Sequence, residues 1–273
     1  MTDRYAVIGN PIQQSKSPLI HGMFAQATGQ DMEYTLLEGP LGGFAQAVDA
    51  FRAAGGKGLN ITTPFKLDAF AYATECSEAA QLAGAANALK FDGARVLADN
   101  FDGVGLVRDV THNLGTPLKG KRILLLGAGG AARGALMPFL AHSPLELVIA
   151  NRHLDKAQVL ADIGSAKGPV RGCTYGDLEG QSFDVVFNAT SASLRAELPP
   201  VPASVFATGA LAYELAYGKG LTPFLRLAHN AGVRHLADGV GMLAEQAAEA
   251  FVWWRGVRPD TRAVIDKLTV PLV

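Results

Sequence analysis

The sequence predicts an α/β fold in two parts, the second built on a doubly wound parallel sheet. Three observations carry this expectation. Short apolar runs alternate with amphipathic stretches along the chain. The 31 glycines gather where those runs end, at positions suited to strand-to-helix turns. From Arg122 onward the alternation becomes strict enough for a parallel sheet covered by helices. With 273 residues, 49% hydrophobic and 18% charged, the chain can bury a sizeable core and is not disordered. It carries 24 Lys and Arg against 25 Asp and Glu, so no basic surplus exists to hold nucleic acid. Cys76 and Cys173 are too few for a disulfide framework and fit a reducing compartment. The first residues carry charges without an apolar signal core. The most apolar stretch, Ile123 to Leu145, is broken by Arg133, Pro138, His142 and Pro144. A cytoplasmic protein, with no membrane and no nucleic acid among its partners, is expected.

Element by element, Tyr5 to Ile8 reads as a strand ended by Gly9-Asn10-Pro11. Ser17-Pro18 opens a helix to about Thr28, with Ser17 as cap and Pro18 at the first helical position. Glu33 to Glu38 is a strand, Leu41 to Ala54 a helix closed by Gly55-Gly56, and Gly58 to Ile61 a strand. Thr63-Pro64 caps and starts another helix. Asn87 to Phe91 and Arg95 to Ala98 form a hairpin around Asp92-Gly93. Asp102 to about His112 is helical, and Asn113 to Gly120 has linker composition. Beyond it, Ile123 to Leu126 is a buried strand followed by a glycine loop and a helix. Leu145 to Ala150, Phe183 to Asn188 and Ala210 to Leu215 are further strands, Asp155 to Ile163 a helix, and Val240 to about Arg255 a long helix.

The glycine loop is the first chemical signal. Gly127-Ala128-Gly129-Gly130-Ala131-Ala132 follows its strand directly and opens a helix, matching G-x-G-x-x-[GA] in the context that pattern requires. The first glycine allows the tight turn, the second lets the backbone approach a pyrophosphate, and the small third residue lets the helix pack on the sheet. The helix N-terminus then offers unpaired N–H groups to the anion. The next strand ends in Asn151-Arg152, with Lys156 four residues on, where an NAD site usually has a carboxylate. A guanidinium there pairs with a 2′-phosphate through its planar fork, so NADP is the expected cofactor.

The first half holds polar residues at strand and helix ends. Ser15 and Ser17 set two hydroxyls at a helix start, suited to a carboxylate or to plain capping. In Asn60-Ile61-Thr62-Thr63-Pro64-Phe65-Lys66 a lysine falls in the first helical turn, the electrostatically unfavourable end for a cation, which suits proton transfer. Asp102 offers a carboxylate at another strand-to-helix junction. The six histidines have no metal-ligand spacing, and no metal is expected.

Taken together, Gly9-Asn10-Pro11, Ser15-Lys16-Ser17-Pro18, the Asn60 to Lys66 run, Gly84 to Asn87, Asp99 to Gly103 and Gly127 to Ala131 resemble the shikimate dehydrogenase family. Asn151-Arg152, Asn188 to Ser191, Thr222 to Leu225 and Asp238 to Leu243 continue the resemblance over nearly the whole chain. It implies an N-terminal α/β substrate domain plus a C-terminal Rossmann-type doubly wound dinucleotide-binding domain, with a cleft between them. Residues 1–113 would form the substrate-binding and catalytic domain, 114–239 the NADP domain, and 240–273 would pack back on the first. The implied activity is reversible NADPH-dependent reduction of 3-dehydroshikimate to shikimate in aromatic amino-acid biosynthesis, by a monomer or homodimer. The alternatives are a paralogous dehydrogenase acting on quinate or a related hydroxy-cyclohexene carboxylate, and a non-catalytic NADP-binding sensor.

Carried over by the resemblance, Lys66 would be the acid/base and Asp102 its catalytic partner. Ser15 and Ser17 would bind the substrate carboxylate; Thr62, Asn87, Tyr217 and Gln246 would bind the rest of the substrate. Gly127, Ala128, Gly129, Gly130 and Ala131 would hold the pyrophosphate; Asn151, Arg152 and Lys156 the 2′-phosphate end; Leu215 and Gly239 the nicotinamide end. The chain departs from the family's usual threonine at Ala88, Phe101 and His153 and from its aspartate at Glu214. Phe101 and Ala88 remove hydroxyls from the expected substrate site, and Phe101 turns its ring either to the substrate or to the core.

Overall fold

The computed structural model describes residues 2–272. The chain divides into two compact units, Met1–Gly105 with Ala244–Val264, and Leu106–Leu243 with Ile265–Val273. The first division falls ahead of the linker at 113/114, and the last residues group with the second unit rather than the first.

In the first unit the elements run β1 (Asp3–Gly9), α1 (Ser17–Thr28), β2 (Met32–Glu38), α2 (Phe44–Ala53), β3 (Gly56–Ile61), α3 (Lys66–Tyr72), β4 (Glu75–Cys76), α4 (Glu78–Ala83), β5 (Ala88–Asp92) and β6 (Arg95–Asp99). They form one sheet in the order β2-β1-β3-β5-β6-β4. β1 runs parallel to β2 and β3, while β5 is antiparallel to β3 and β6, as the expected hairpin requires. Residues 244–264 belong to this unit. Trp254 donates its indole N–H to Leu89 O at 3.1 Å, and Arg255 pairs with Asp3. Gly58 makes this approach possible, since a Cβ there would lie 2.6 Å from Trp254 Nε1 and 2.7 Å from Leu89 O.

Three helix starts differ from expectation. α1 is preceded by Lys16 with no side-chain cap bond; Ser15 Oγ, not Ser17, accepts from a backbone N–H, that of Ser17 at 3.3 Å. α3 begins at Lys66, because Thr63, Pro64 and Phe65 form the turn that ends β3. α2 likewise begins at Phe44, the first residue of its buried face, and the loop before it holds Leu41 exposed.

The chain continues through α5 (Asp102–Arg108) into a π-helical turn, Asp109–Asn113, where a regular helix to His112 was expected. The wider turn accommodates a buried carboxylate. Asp109 accepts from Tyr213 OH at 2.7 Å and from Asn113 Nδ2 at 3.0 Å, and a Cβ on Gly241 would fall 1.9 Å from its Oδ1. The second unit then runs β7 (Arg122–Leu126), α6 (Gly130–Ala141), β8 (Glu146–Ala150), α7 (Leu154–Gly164), β9 (Val170–Cys173), β10 (Phe183–Asn188), β11 (Phe206–Glu214), α8 (Pro223–Asn230) and β12 (His235–Asp238). α9 (Val240–Arg255) and α10 (Arg262–Leu268) close the chain.

The second sheet is wholly parallel, in the order β12-β11-β10-β7-β8-β9. Numbered from its own first strand, that is the 3-2-1-4-5-6 order of nucleotide-binding sheets read from the other edge, with its switch point between β7 and β10. β7 explains why its sequence is continuously apolar. Ile123 and Leu125 enter the core on one face, Leu124 and Leu126 that on the other. Among the described residues no helix is long and apolar enough to cross a membrane.

One buried polar group in the first unit has a measurable consequence. His21 of α1 is fully buried, stacked on Tyr34 at 4.2 Å and close to Phe251 and Trp254. Neither ring nitrogen has a partner at hydrogen-bonding geometry, and the nearby Asn60 offsets burial only in part, so the imidazole pKa falls from 6.5 to about 3. The unfolded chain therefore binds a proton at His21 below pH 6.5 that the folded chain refuses down to about pH 3. Stability from this site is complete above the upper value. It falls by up to about 1.4 kcal/mol per pH unit as pH drops through the window. Urea unfolding measured across that window should show this slope in the natural chain and lose it in His21→Phe. Parallel pH dependences in the two chains would contradict the assignment.

Candidate active site

The first unit gathers its chemistry at the segment joining α4 to β5. Ala86 N donates to Lys66 O at 2.9 Å, tying the start of α3 to this segment. Asn87 N donates to Asp99 O at 3.0 Å while Asn87 O accepts from Ile61 N at 2.8 Å, so its backbone is fixed between β3 and β6. Asn100 Nδ2 donates to Ala85 O at 3.0 Å, and Asn100 Oδ1 accepts from Asp102 N at 3.2 Å. The ends of three strands and the starts of two helices are thereby locked together.

Lys66, Asn87 and Asp102 meet at this point. Lys66 Nζ lies 2.5 Å from Asp102 Oδ2, and Asn87 Nδ2 donates to Asp102 Oδ1 at 2.9 Å. Asn87 Nδ2 also lies 3.4 Å from Gln246 Oε1, and Asn87 Oδ1 accepts from Phe101 N at 2.9 Å. The Lys66 side chain is 34% exposed and that of Asp102 19%. An ammonium held on a carboxylate, yet still open to a ligand, can exchange a proton with a bound oxygen.

The hydroxyls of Ser15 and Ser17 stand 3.2 Å apart at the start of α1. Tyr34 supports them: its hydroxyl neighbours Ser17 and donates to Asn60 Oδ1 at 2.7 Å, while Asn60 Nδ2 reaches Asn87 O at 3.4 Å. Burial raises the Tyr34 phenol well above its usual range, so it stays a neutral donor. Thr62 follows β3, its N–H donating to Ile8 O at 3.0 Å. Its methyl lies so near Gly9 that a Cβ there would come within 2.5 Å. Tyr34 was not singled out from sequence, since one tyrosine in a short strand carries no pattern. Asn60 belongs to the Asn60–Lys66 run, whose pattern gives it no role of its own.

In the second unit, Gly127 takes φ +100°, donates its N–H to Ala150 O at 2.8 Å and sits against Ala189 of the segment after β10. Beyond it, a Cβ on Gly129 or Gly130 would meet nothing within 4 Å, so the backbone at the start of α6 faces open space. A cavity of about 270 Å³ adjoins it, lined by Gly129, Asn151, Arg152, Lys156, Tyr175 and Arg195 among others. Asn151 Nδ2 donates to His153 O at 3.0 Å, which shapes the turn that presents Arg152. An open glycine turn beside a cationic cavity has the donor set for a phosphorylated dinucleotide. Leu215 and Gly239 are brought into contact after β11 and β12; a Cβ at Gly239 would lie 2.1 Å from Leu215 O. Tyr217 follows Leu215 and is 43% exposed.

Glu214 braces that end of the sheet. It accepts from Asn188 Nδ2 at 2.9 Å, Thr222 Oγ1 at 3.1 Å, Ala216 N at 3.3 Å and Ser193 Oγ. Burial pushes its carboxyl above the usual range, and these bonds offset that only in part. Among the described residues no cluster of His, Cys, Asp and Glu could hold a metal ion.

The chain matches the shikimate dehydrogenase substrate binding domain over residues 7–89, shikimate/quinate 5-dehydrogenase over 109–196, and the shikimate 5′-dehydrogenase C-terminal domain over 239–269. It is 54% identical over 268 residues to shikimate dehydrogenase (NADP(+)) of Nitrosospira multiformis, covering 98% of each chain. The chain belongs to the shikimate dehydrogenase family. Among solved structures it resembles an Ael1 enzyme from Pseudomonas putida, with 64% identity, a TM-score of 0.97 and full coverage of both chains. It also resembles shikimate 5-dehydrogenase of Thermus thermophilus in complex with NADP(H) and shikimate. There the identity is 30% and the TM-score 0.85, covering 97% of this chain and 98% of the other.

Phe101 turns its ring to the core rather than standing free. Its ring meets Trp253 edge-on at 5.6 Å and 70° and packs against the buried cluster of Tyr5, Ala88, Ala250 and Trp254. Lys90 Nζ lies over the Trp253 ring at 5.9 Å and donates to Trp253 O at 2.9 Å. The half-buried ring thus serves to seat α9, while its backbone N–H serves Asn87. Phe101→Thr should lower stability by about 1–2 kcal/mol, the worth of a partly buried aromatic contact. A urea midpoint equal to that of the natural chain would show the packing role to be wrong.

Proposed function

We propose that the protein catalyses the reversible NADPH-dependent reduction of 3-dehydroshikimate to shikimate. It would act as an oxidoreductase in aromatic amino-acid biosynthesis, in the cytoplasm, as a monomer or homodimer. The observation that carries this is the Lys66 ammonium held 2.5 Å from Asp102 Oδ2, with Asn87 on the other carboxylate oxygen. A non-catalytic NADP sensor has no use for such a pair.

In this reading Ser15, Ser17 and the N–H groups of α1 receive the substrate carboxylate, which the helix dipole favours. Thr62, Asn87, Asp102 and Gln246 fix the ring hydroxyls, with Tyr217 as a further contact. NADPH supplies the hydride when bound. The glycine turn Gly127 to Ala131 would hold its pyrophosphate, Asn151, Arg152 and Lys156 its 2′-phosphate, and Leu215 and Gly239 its nicotinamide end. Lys66 gives its proton to the oxygen that gains charge as the carbonyl is reduced, and takes it back in the oxidative direction. Asp102 keeps the Nζ aimed at that oxygen and accepts from the hydroxyl being oriented. Asn87 prevents the carboxylate from turning away. Because Lys66 is only partly covered, its amine regains a proton from water after each turnover.

Mixing the protein with NADP⁺ and shikimate should raise the NADPH absorbance band, and quinate should be turned over less efficiently. Turnover of quinate in preference to shikimate would move the substrate to the paralogous alternative, and NADP binding with no turnover of either would leave the sensor. Lys66→Ala should lower kcat by roughly 10²–10⁴-fold, the range of general acid–base catalysis, with KM changed far less. Near-normal turnover would take the proton-transfer role away from Lys66. Ser15→Ala combined with Ser17→Ala should weaken shikimate binding by about 1.5–3 kcal/mol per charged hydrogen bond lost, with NADP affinity unaltered. Equal losses for both ligands would point to misfolding instead.

A further inference from the structure

The cavity beside Arg152 has a second set of charged residues that the sequence motifs do not account for. After β10 the chain makes a short 3-10 turn, Ala192–Arg195, and then enters the left-handed region at Ala196, with φ +55° and ψ 30°. An L-residue with a side chain rarely adopts this conformation without local support. Here the support is Ala196 N donating to Ser193 O at 3.2 Å and Glu197 N donating to Ala192 O at 2.9 Å. The reversal folds Glu197 back onto Arg195. The carboxylate accepts both Nε, at 3.0 Å, and Nη2, at 2.8 Å, and Arg195 Nη1 donates to Ser191 Oγ at 3.1 Å. Arg195 and Glu197 line the same cavity as Arg152 and Lys156. Arg195, through its hydrogen bonds and its charge, and then the charge of Arg152, hold the Glu197 carboxyl below its usual range. One carboxylate thus lies within the influence of two guanidinium groups that come from different strand ends.

We propose that Arg195 is a second guanidinium clamp for the dinucleotide 2′-phosphate, and that Glu197 is an internal anion which the phosphate displaces. The proposal rests on reading the β8 end as an NADP site and names a further specificity-determining residue in it. A bidentate fork that grips a carboxylate has the geometry to grip a phosphate. Three cations, Arg152, Lys156 and Arg195, line the cavity with one carboxylate, Glu197, and the surplus suits a phosphomonoester carrying roughly −1.5 to −2 charge. The Arg195 and Glu197 side chains are 55% and 52% exposed, so a ligand can reach the pair and the pair itself is weak enough to open. Strain at Ala196 is the expected companion of such an arrangement, since the reversal that brings Glu197 to Arg195 has to be held by the surrounding turn.

Calorimetric titration with 2′,5′-ADP and with 5′-AMP isolates the 2′-phosphate without any turnover. Arg195→Ala should weaken 2′,5′-ADP by about 3- to 10-fold, as fits a half-exposed charged contact, and leave 5′-AMP within about twofold. Arg195→Lys should fall between, since it keeps the charge and loses the fork. Glu197→Gln should tighten 2′,5′-ADP by removing the competing anion. If Arg195→Ala weakens both ligands alike or neither, the clamp is refuted. Arg152→Ala separates the two levels. A selective loss of 2′,5′-ADP in Arg152→Ala without one in Arg195→Ala refutes the clamp alone. No selective loss in either variant refutes the clamp together with the NADP reading beneath it.

Discussion

Much of the first unit is organised by the need to hold the Asp102 carboxylate from both sides. A carboxylate only 19% exposed has given up part of its hydration, which hydrogen bonds and an opposite charge replace. Its partners, Lys66 and Asn87, are distant in sequence, so their positions must be set by backbone rather than by side-chain choice. The segment from Ala85 to Asn87 does this. Ala86 N bonds to Lys66 O, Asn87 is bonded to both Ile61 and Asp99, and Ala85 accepts from Asn100, the residue that also caps the start of α5. The mixed sheet has a purpose in this light. An antiparallel β5–β6 hairpin beside parallel β1 and β3 brings the start of β5 and the end of β6 to the same edge as the end of β3.

Three carboxylates in the protein illustrate how the partner decides the role. Glu214 accepts from two hydroxyls, an amide and a backbone N–H, and burial leaves it with a raised pKa. Asp109 accepts from Tyr213 and Asn113, and its charge helps raise the Tyr213 phenol well above the usual range, after burial itself. Both fix the strand-to-loop junctions of the parallel sheet, Glu214 at the end of β11 and Asp109 against Tyr213 within it. Asp102 instead faces an ammonium on a partly exposed lysine. That pairing sets Asp102 apart from a carboxylate that only braces the backbone, and it is the feature on which the proposed proton transfer rests.

The second unit was more legible in the sequence than the first, for a physical reason. A parallel strand buried on both faces must be continuously apolar, and a turn that faces a pyrophosphate must be glycine-rich, so β7, β8 and β10 and the loop at Gly127 announce themselves. The first sheet mixes directions and exposes one edge; β4 has only two residues, and α4 has six. Elements that short carry no period, and neither they nor β9, β12, α8 and α10 were anticipated. The helix starts at Ser17 and Lys66 were misjudged in detail because a Ser-Pro or Thr-Pro pair marks a turn as readily as a cap. At the site, motif residues such as Lys66, Asn87 and Asp102 were nameable, whereas Tyr34 and Arg195 matter only through neighbours that the fold supplies.

Position 101 illustrates the limit of reading chemistry from a side chain. The backbone N–H of Phe101 donates to Asn87 Oδ1, and that bond is indifferent to what the side chain is. The side chain packs on the edge of Trp253 and against the buried cluster that Ala250 and Trp254 of α9 form with Tyr5 and Ala88. A hydroxyl at 88 or 101 would leave a polar atom among aromatic rings, where it needs a partner or costs desolvation. The two departures from the family's usual threonines therefore belong together. Ala88 lies in the buried cluster that Ala250 and Trp254 of α9 complete, and Phe101 packs against that cluster. At these two positions the side chains serve the packing of α9, the helix that also brings Gln246 to within 3.4 Å of Asn87.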